Sequence, residues 1–219
     1  MSKYVTSDIH GCYDKFIKLL EEVKFSKEDE LYIIGDIIDR GNKSLEILDY
    51  IREYKNIHLL KGNHEDLFVK AYESGSKELW YYNGGRYTDK QLKLRGEDYT
   101  KATYEYMKVL QITKVIDKFI LVHAGLVFPD NYNDIELEDL LKMQIEKDCL
   151  WVRPYDTEVR YRDYTIICGH TPVCKLTDEF LDENTKIVKR AGTIFIDCGC
   201  VFGGRLSCLR LDDMKEFYV

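Results

Sequence analysis

At 219 residues with 45% of them hydrophobic, the chain can bury one substantial core and is short for two, so a single domain over 1–219 is expected. A net charge of −7 argues against stable binding of nucleic acid or of an anionic membrane, and no apolar run approaches the ~20 residues that span a bilayer. The opening "MSKYVTSDIH" lacks the layout of a signal peptide, and the seven cysteines (Cys12, Cys149, Cys168, Cys174, Cys198, Cys200 and Cys208) are odd in number and without framework spacing, so reduced thiols in a cytoplasmic protein are expected.

In chain order, "KYVTS" (3–7) reads as a first strand, and Phe16, Leu19, Leu20 and Val23 follow at the spacing of one helical face. "ELYIIG" (30–35) reads as a second strand, Leu45, Leu48 and Ile51 mark the next helix, and "IHLLKG" (57–62) is a third strand. Strand and helix alternating in this way favour parallel strands covered by helices. The stretch 64–111 is richer in helical pattern, with Gly84 and Gly85 as a loop, and is expected to form a helical cap beside the sheet. "FILVHAG" and "YTIICGH" bring two further strands. From Lys186 to the C-terminus the chain reads as short strands with turns at Ala191–Gly192 and Asp212–Asp213, so the second half is expected to be mainly β. The fold class predicted is mixed α/β, two packed sheets in a sandwich flanked by helices.

Five of these strands end in side chains that can bind metal or phosphate. Asp8 and His10 follow the first, Asp36, Asp39 and Arg40 the second, Asn63 and His64 the third, His123 follows "FILV" and His170 follows "IICG". Ligand sites in sheets with parallel strands form outside the carboxyl ends of the strands. Taken singly, each residue has a plainer explanation: a turn with a surface histidine, ordinary loop charges, or a helix cap at Asn63. Jointly they are harder to dismiss, because four of the five histidines lie just beyond a predicted strand, and only His58, inside "IHLL", is left as structural. Carboxylate, imidazole and amide oxygen together suit Mn, Fe, Zn or Co better than Ca or Mg. The candidate ligands outnumber what one ion needs, so a dinuclear centre is expected.

The stretches "DIHG", "GDIIDRG", "GNHE", "HAG" and "GHTP", in that order, resemble the signature of the metallophosphoesterases and, within them, of the phosphoprotein phosphatase family of serine/threonine phosphatases, of bacterial or phage type. The closing "IDCGCVFGGRLSCLRL" also resembles that family's last strands. The resemblance implies a calcineurin-like fold and two divalent ions, Mn first and Fe, Zn, Co or Ni as alternatives. It places one ion on Asp8, His10 and Asp36, with Asp36 bridging to a second held by Asn63, His123 and His170. It makes His64 the general acid that protonates the leaving alkoxide, Asp39 the residue that orients it, and Arg40 and Arg153 the phosphate clamps. The chemical need is independent of family: phosphate oxygens repel an incoming hydroxide, and two cations ~3.5–4 Å apart neutralise that charge while generating hydroxide near neutral pH.

Lys61 stands where many relatives carry arginine before "GNHE", and an ammonium cannot form the same fork to phosphate. Cys198 and Cys200 lack a matching second pair and read as structural, whereas Tyr81, Tyr82 and Tyr87 are candidates to line the substrate cleft. A cysteine-nucleophile phosphatase needs five residues between Cys and Arg. Cys200 and Arg205 enclose four and Cys198 and Arg205 six, and no glycine-rich phosphate loop is present. The implied function is hydrolysis of phosphoserine and phosphothreonine in proteins by direct attack of a metal-bound hydroxide. The alternative is a symmetrical dinucleoside tetraphosphate hydrolase with the same centre. Those relatives usually read "GNHD", so Glu65 favours the first. A scaffold that has lost catalysis ranks third, because every implied ligand and the acid are in place. The expected partner is a phosphoprotein or a phosphorylated small molecule.

Overall fold

The computed structural model describes residues 1–153 and 159–219. Strand β1 (Lys3–Thr6) leads into helix α1 (Tyr13–Glu22), β2 (Glu30–Ile33) into α2 (Ser44–Glu53), and β3 (Ile57–Leu59) into four helices, α3 (Asn63–Ser74), α4 (Glu78–Tyr82), α5 (Arg86–Arg95) and α6 (Glu97–Lys108). The second half runs β4 (Thr113–Ile116), β5 (Phe119–Val122), α7 (Leu137–Lys142), α8 (Glu146–Trp151), β6 (Thr165–Cys168), α9 (Cys174–Thr177), β7 (Val188–Arg190), β8 (Thr193–Phe195), β9 (Ser207–Arg210) and β10 (Glu216–Tyr218).

The strands form two five-stranded mixed sheets, ordered β10-β9-β1-β2-β3 and β4-β5-β6-β8-β7. β1, β2 and β3 pair in parallel, as the alternation of strand and helix predicts, and so do β5, β6 and β8. Because side chains alternate across a strand, each central strand of the first sheet feeds two cores. Tyr4, Leu31, Ile33 and Cys208 point into the layer beneath α1 and α2. Val5, Tyr32, Ile34 and Leu209 face the other way, into a cluster with Ile120, Val122, Ile166 and Phe195 of the second sheet. Burying an isoleucine or leucine this completely contributes about 1.5–3 kcal/mol. The first sheet is thereby fixed between helices and the second sheet, with the carboxyl ends of β1, β2, β5 and β6 opening toward one region.

Two expectations need correction. The second half is less β-rich than its apolar runs suggest: between β5 and β6 lie two short helices, α7 and α8. The first of these leaves only Leu140 fully buried, too weak a stripe to stand out in the sequence. Strands also stop earlier than their apolar runs, at Ile33 and Leu59, because Ile34 and Leu60 already belong to the loops that carry the polar residues. His58 is structural, but at the surface: it stacks on Tyr32 with ring centroids 4.9 Å apart and pairs with Glu30.

Candidate metal centre

The loops beyond the strands depart from ordinary backbone geometry together. Asp8, His10, Asp36, Asp39, Arg40 and His170 all take positive φ, between 46° and 71°. For a residue with a Cβ this costs on the order of 1 kcal/mol or more each, and such strain persists only where surrounding contacts impose it. Here the imposition is visible. The amides of Asp8, His10 and Gly11 donate to the carbonyls of Gly35, Asp36 and Ile37 at 3.2, 2.9 and 2.9 Å, which carries the β1–β2 ladder on past the strands. The loops after β5 and β6 are joined by Gly169 N–H donating to the His123 carbonyl at 2.8 Å. The two pairs of loops meet where His170 N–H donates to the Asp8 carboxylate (3.0 and 3.2 Å) and His123 Nδ1 reaches the Ile34 carbonyl (2.8 Å).

Those carbonyl contacts decide which ring nitrogens are free. A carbonyl only accepts, so Nδ1 of His123 and Nδ1 of His10, 2.8 Å from the Ile38 carbonyl, carry their rings' protons. Each Nε2 is left with a lone pair: that of His10 takes an N–H of the Arg40 guanidinium, and that of His123 faces further acceptors. His123 Nε2 lies 2.8 Å from Asn63 Oδ1 and 3.4 Å from Asp36 Oδ2, and His10 Nε2 lies 3.5 Å from Asp36 Oδ2. His170 Nδ1 is 3.0 Å from the same Asn63 oxygen, while His170 Nε2 and His64 Nε2 are buried with no hydrogen-bond partner among the described residues. Buried acceptors pointed at one another are unfavourable unless something positive lies among them. Two groups, His10 with Asp36 and His64, and Asp36 with His123 and His170, each bring ligand atoms within 4.8 Å of one another and share Asp36. This donor set fits divalent metal, and Asp36 belongs to both groups.

Burial dominates the protonation of the cluster. It pushes the Asp36 carboxyl well above the usual carboxylate range, with Glu65 and Asp8 adding negative charge, and it pushes His10, His64 and His170 well below the usual imidazole range. Neutral imidazoles are the form in which histidine binds metal.

His64 is held separately. Its Nδ1 sits 2.7 Å from Asp39 Oδ2, and Asp39 also accepts from Trp80 Nε1 (2.8 Å) and Thr88 Oγ1 (2.7 Å). Burial pushes Asp39 up to about 7, against the pull of the Thr88 and Trp80 hydrogen bonds. Neither Trp80 nor Thr88 was singled out from sequence. A buried tryptophan must find a partner for its N–H, but that the partner is Asp39, 41 residues earlier, depends on how α4 folds back over the site.

Arg40 Nη1 lies against His10 Nε2 at 2.5 Å and its guanidinium stands 5.1 Å from the Phe202 ring, so it borders the cluster. Arg153 donates to the His170 carbonyl (3.1 Å) and to Thr171 Oγ1 (3.4 Å), at the rim. Pro154, which follows it in "LWVRP", lies outside the described residues. Lys61 is committed elsewhere, donating to Glu146 (2.9 Å) and the Lys108 carbonyl (3.2 Å). Of the three tyrosines expected at the cleft, Tyr81 is bonded to Asp89, whereas Tyr82 and Tyr87 are exposed on the helices beside the Arg40 loop, whose amide donates to the Gly84 carbonyl. Cys198 and Cys200 are buried free thiols.

Gly169 gives a test of this geometry, since a Cβ there would fall 2.1 Å from Asp8 Oδ2. Gly169→Ala must displace the Asp8 carboxylate, and we expect Mn binding measured by calorimetry to weaken by roughly 10–100-fold, the range seen when the supports of metal ligands are disturbed. Unchanged affinity would remove Asp8 from the centre.

Two sandwiched sheets with imidazole, carboxylate and amide oxygen gathered beyond their strand ends define a metallophosphoesterase. The family model for calcineurin-like phosphoesterases matches residues 1–210, and the chain belongs to that family. It is 28% identical to serine/threonine-protein phosphatase 2 of Salmonella typhimurium, covering 95% of this chain and 92% of that protein. It is 35% identical to a symmetrical bis(5'-nucleosyl)-tetraphosphatase of Buchnera aphidicola, covering 100% and 97%. Among solved structures, a putative diadenosine tetraphosphatase superposes with a TM-score of 0.66 at 19% identity, covering 100% of this chain and 92% of that one. A cold-active protein-tyrosine phosphatase of a Shewanella species superposes at 0.65 with 17% identity, covering 99% and 80%. At such identities these two speak for the fold alone.

Proposed function

We propose that this metallophosphoesterase hydrolyses phosphoserine and phosphothreonine in proteins, with residues 1–219 as one catalytic domain and α3–α6 as its cap. The observation that carries this reading is the His64–Asp39 pair beside the metal-competent cluster. A serine alkoxide is a poor leaving group and needs a proton as the P–O bond breaks, whereas a nucleoside diphosphate leaves with far less help. A buried imidazole with Nδ1 on a carboxylate and Nε2 engaged by no other described residue suits that task, because its Nε2 can hold a proton for the leaving group. Two divalent ions, Mn foremost, would be held by Asp8, His10, Asp36, Asn63, His123 and His170, and when bound they supply charge neutralisation and activation of water. Arg40 and Arg153 hold phosphoryl oxygens, Arg40 closest to the cluster. As water adds to phosphorus and the P–O bond to serine breaks, the proton that the His64 ring carries on Nε2 passes to the leaving oxygen, and Asp39, in contact with Nδ1, holds the ring in place for that transfer.

Chain length favours the same reading. The alignment with the Salmonella phosphatase runs over 215 positions, whereas that with the Buchnera tetraphosphatase runs over 277, more than this chain has residues. Segments of the tetraphosphatase therefore have no counterpart here, and the higher identity to it keeps dinucleoside tetraphosphate hydrolysis as the second reading. A panel run with Mn decides between them. Phosphoserine and phosphothreonine peptides should be cleaved with weak sequence preference, since the grip is on the phosphoryl group they share. A kcat/KM for diadenosine tetraphosphate far above that for every phosphopeptide reverses the choice.

A further inference from the structure

Glu65, last residue of "GNHE", is completely buried and has no part in the chemistry described so far. Its carboxylate accepts three backbone N–H groups: Ile37 on Oε1 at 2.9 Å, and Asp36 and Gly62 on Oε2, both at 2.8 Å. The Gly62 bond caps α3 from within its own first turn. The other two reach across to the loop after β2. One carboxylate therefore ties together the loop that presents Asp36 and the loop that presents Asn63 and His64.

Both loops need such a tie. Asp36 is held at φ 58°, a conformation that an aspartate leaves when unconstrained. Gly62 approaches so closely that a Cβ would fall 2.2 Å from Asp36 Oδ1 and 2.7 Å from Glu65 Oε2. The contact is closed from the other side by His64 N–H donating to Asp36 Oδ1 at 3.0 Å, which leaves Asp36 Oδ2 facing the imidazoles.

We propose that Glu65 is a positioning residue: by holding the amides of Asp36, Ile37 and Gly62 on one carboxylate, it fixes the spacing between Asp36 and the Asn63–His64 pair, and with it the affinity of the centre for divalent cations. The inference rests on the metal-dependent reading above. Geometry sets what substitutes can do. Glutamine turns one oxygen into an NH₂ group facing a backbone N–H, so at least one amide loses its acceptor. Aspartate keeps the charge but is one methylene short of bridging two loops from the same helical position.

The test uses the full chain and Mn as probe. Glu65→Gln and Glu65→Asp are compared with wild type for Mn binding by calorimetry, for thermal unfolding of the metal-free protein, and for aryl phosphate hydrolysis across a Mn titration. Mn binding is expected to weaken by roughly 10–100-fold in both variants, with an activity defect that shrinks as Mn rises. A merely structural role predicts something else, a lower unfolding temperature of the metal-free protein with Mn affinity unchanged, and that result overturns the proposal. So does a defect of the same size at every Mn concentration. If Glu65→Gln fails to fold, Glu65→Asp is judged by the same criteria. Wild-type protein that binds no Mn at all would sink the metal-dependent reading itself, a failure distinct from that of the Glu65 assignment.

Discussion

Replacing His64 with asparagine is expected to slow hydrolysis of a phosphoserine peptide by roughly 10²–10⁴-fold, the usual range for losing general acid help, while leaving metal content intact. The loss should depend on the leaving group. Nitrophenolate departs almost unaided, so the defect should shrink on the aryl ester. Asp39→Asn should give a milder version of the same pattern, since the Asp39 carboxylate acts through its 2.7 Å contact with His64 Nδ1 and not on the substrate. The structure sharpens this test, because His64 Nε2 lies 3.9 Å from Asp36 Oδ2 and groups with His10 and Asp36 as a potential metal triad. Two assignments compete for one imidazole. If the asparagine variant binds one ion fewer, or loses equally on both substrates, His64 is a ligand and the acid lies elsewhere.

Stripping divalent cations with a chelator is expected to abolish hydrolysis of both substrates, and added Mn to restore it. His123 Nε2 converges on Asn63 Oδ1 and Asp36 Oδ2 inside the protein, a set of acceptors that a bound cation would satisfy while neutralising phosphoryl charge. A second readout does not depend on turnover. Mn at 100 times its dissociation constant stabilises the folded state by about 2.7 kcal/mol, a rise of roughly 5–10 °C in unfolding temperature for a chain of this size. Binding should also strengthen with pH. Burial holds the Asp36 proton above the normal carboxylate range, that proton must leave for metal to bind, and its loss grows easier as pH rises through the raised pKa. Full activity in metal-free protein, or Mn binding that weakens with rising pH, would contradict this account.

How much was legible beforehand differs from residue to residue. The parallel order of β1, β2 and β3 was readable because a period of two in the strands and of 3.6 in the helices leaves marks at single positions. That His10, Asp36, Asn63, His123 and His170 come close together was readable because each follows an apolar run directly, and parallel strands point their carboxyl ends the same way; that His64 joins one of the groups was not. The helices α7 and α8 were not, since short helices with few buried positions leave almost no pattern.

Local sequence, then, determined which segments are strands and the kinds of side chain that follow them, because apolar periodicity and the residue that breaks it are properties of neighbours along the chain. Tertiary structure alone decided the rest. That Trp80 and Thr88 hold Asp39, that Lys61 turns away to Glu146, and that Glu65 joins two loops are contacts spanning 28 to 85 residues. The free nitrogens of His10 and His123 are likewise set by carbonyls of Ile38 and Ile34, 28 and 89 residues away. A hydrogen bond is fixed by distance and direction in space, and those coordinates exist only after the two sheets have packed.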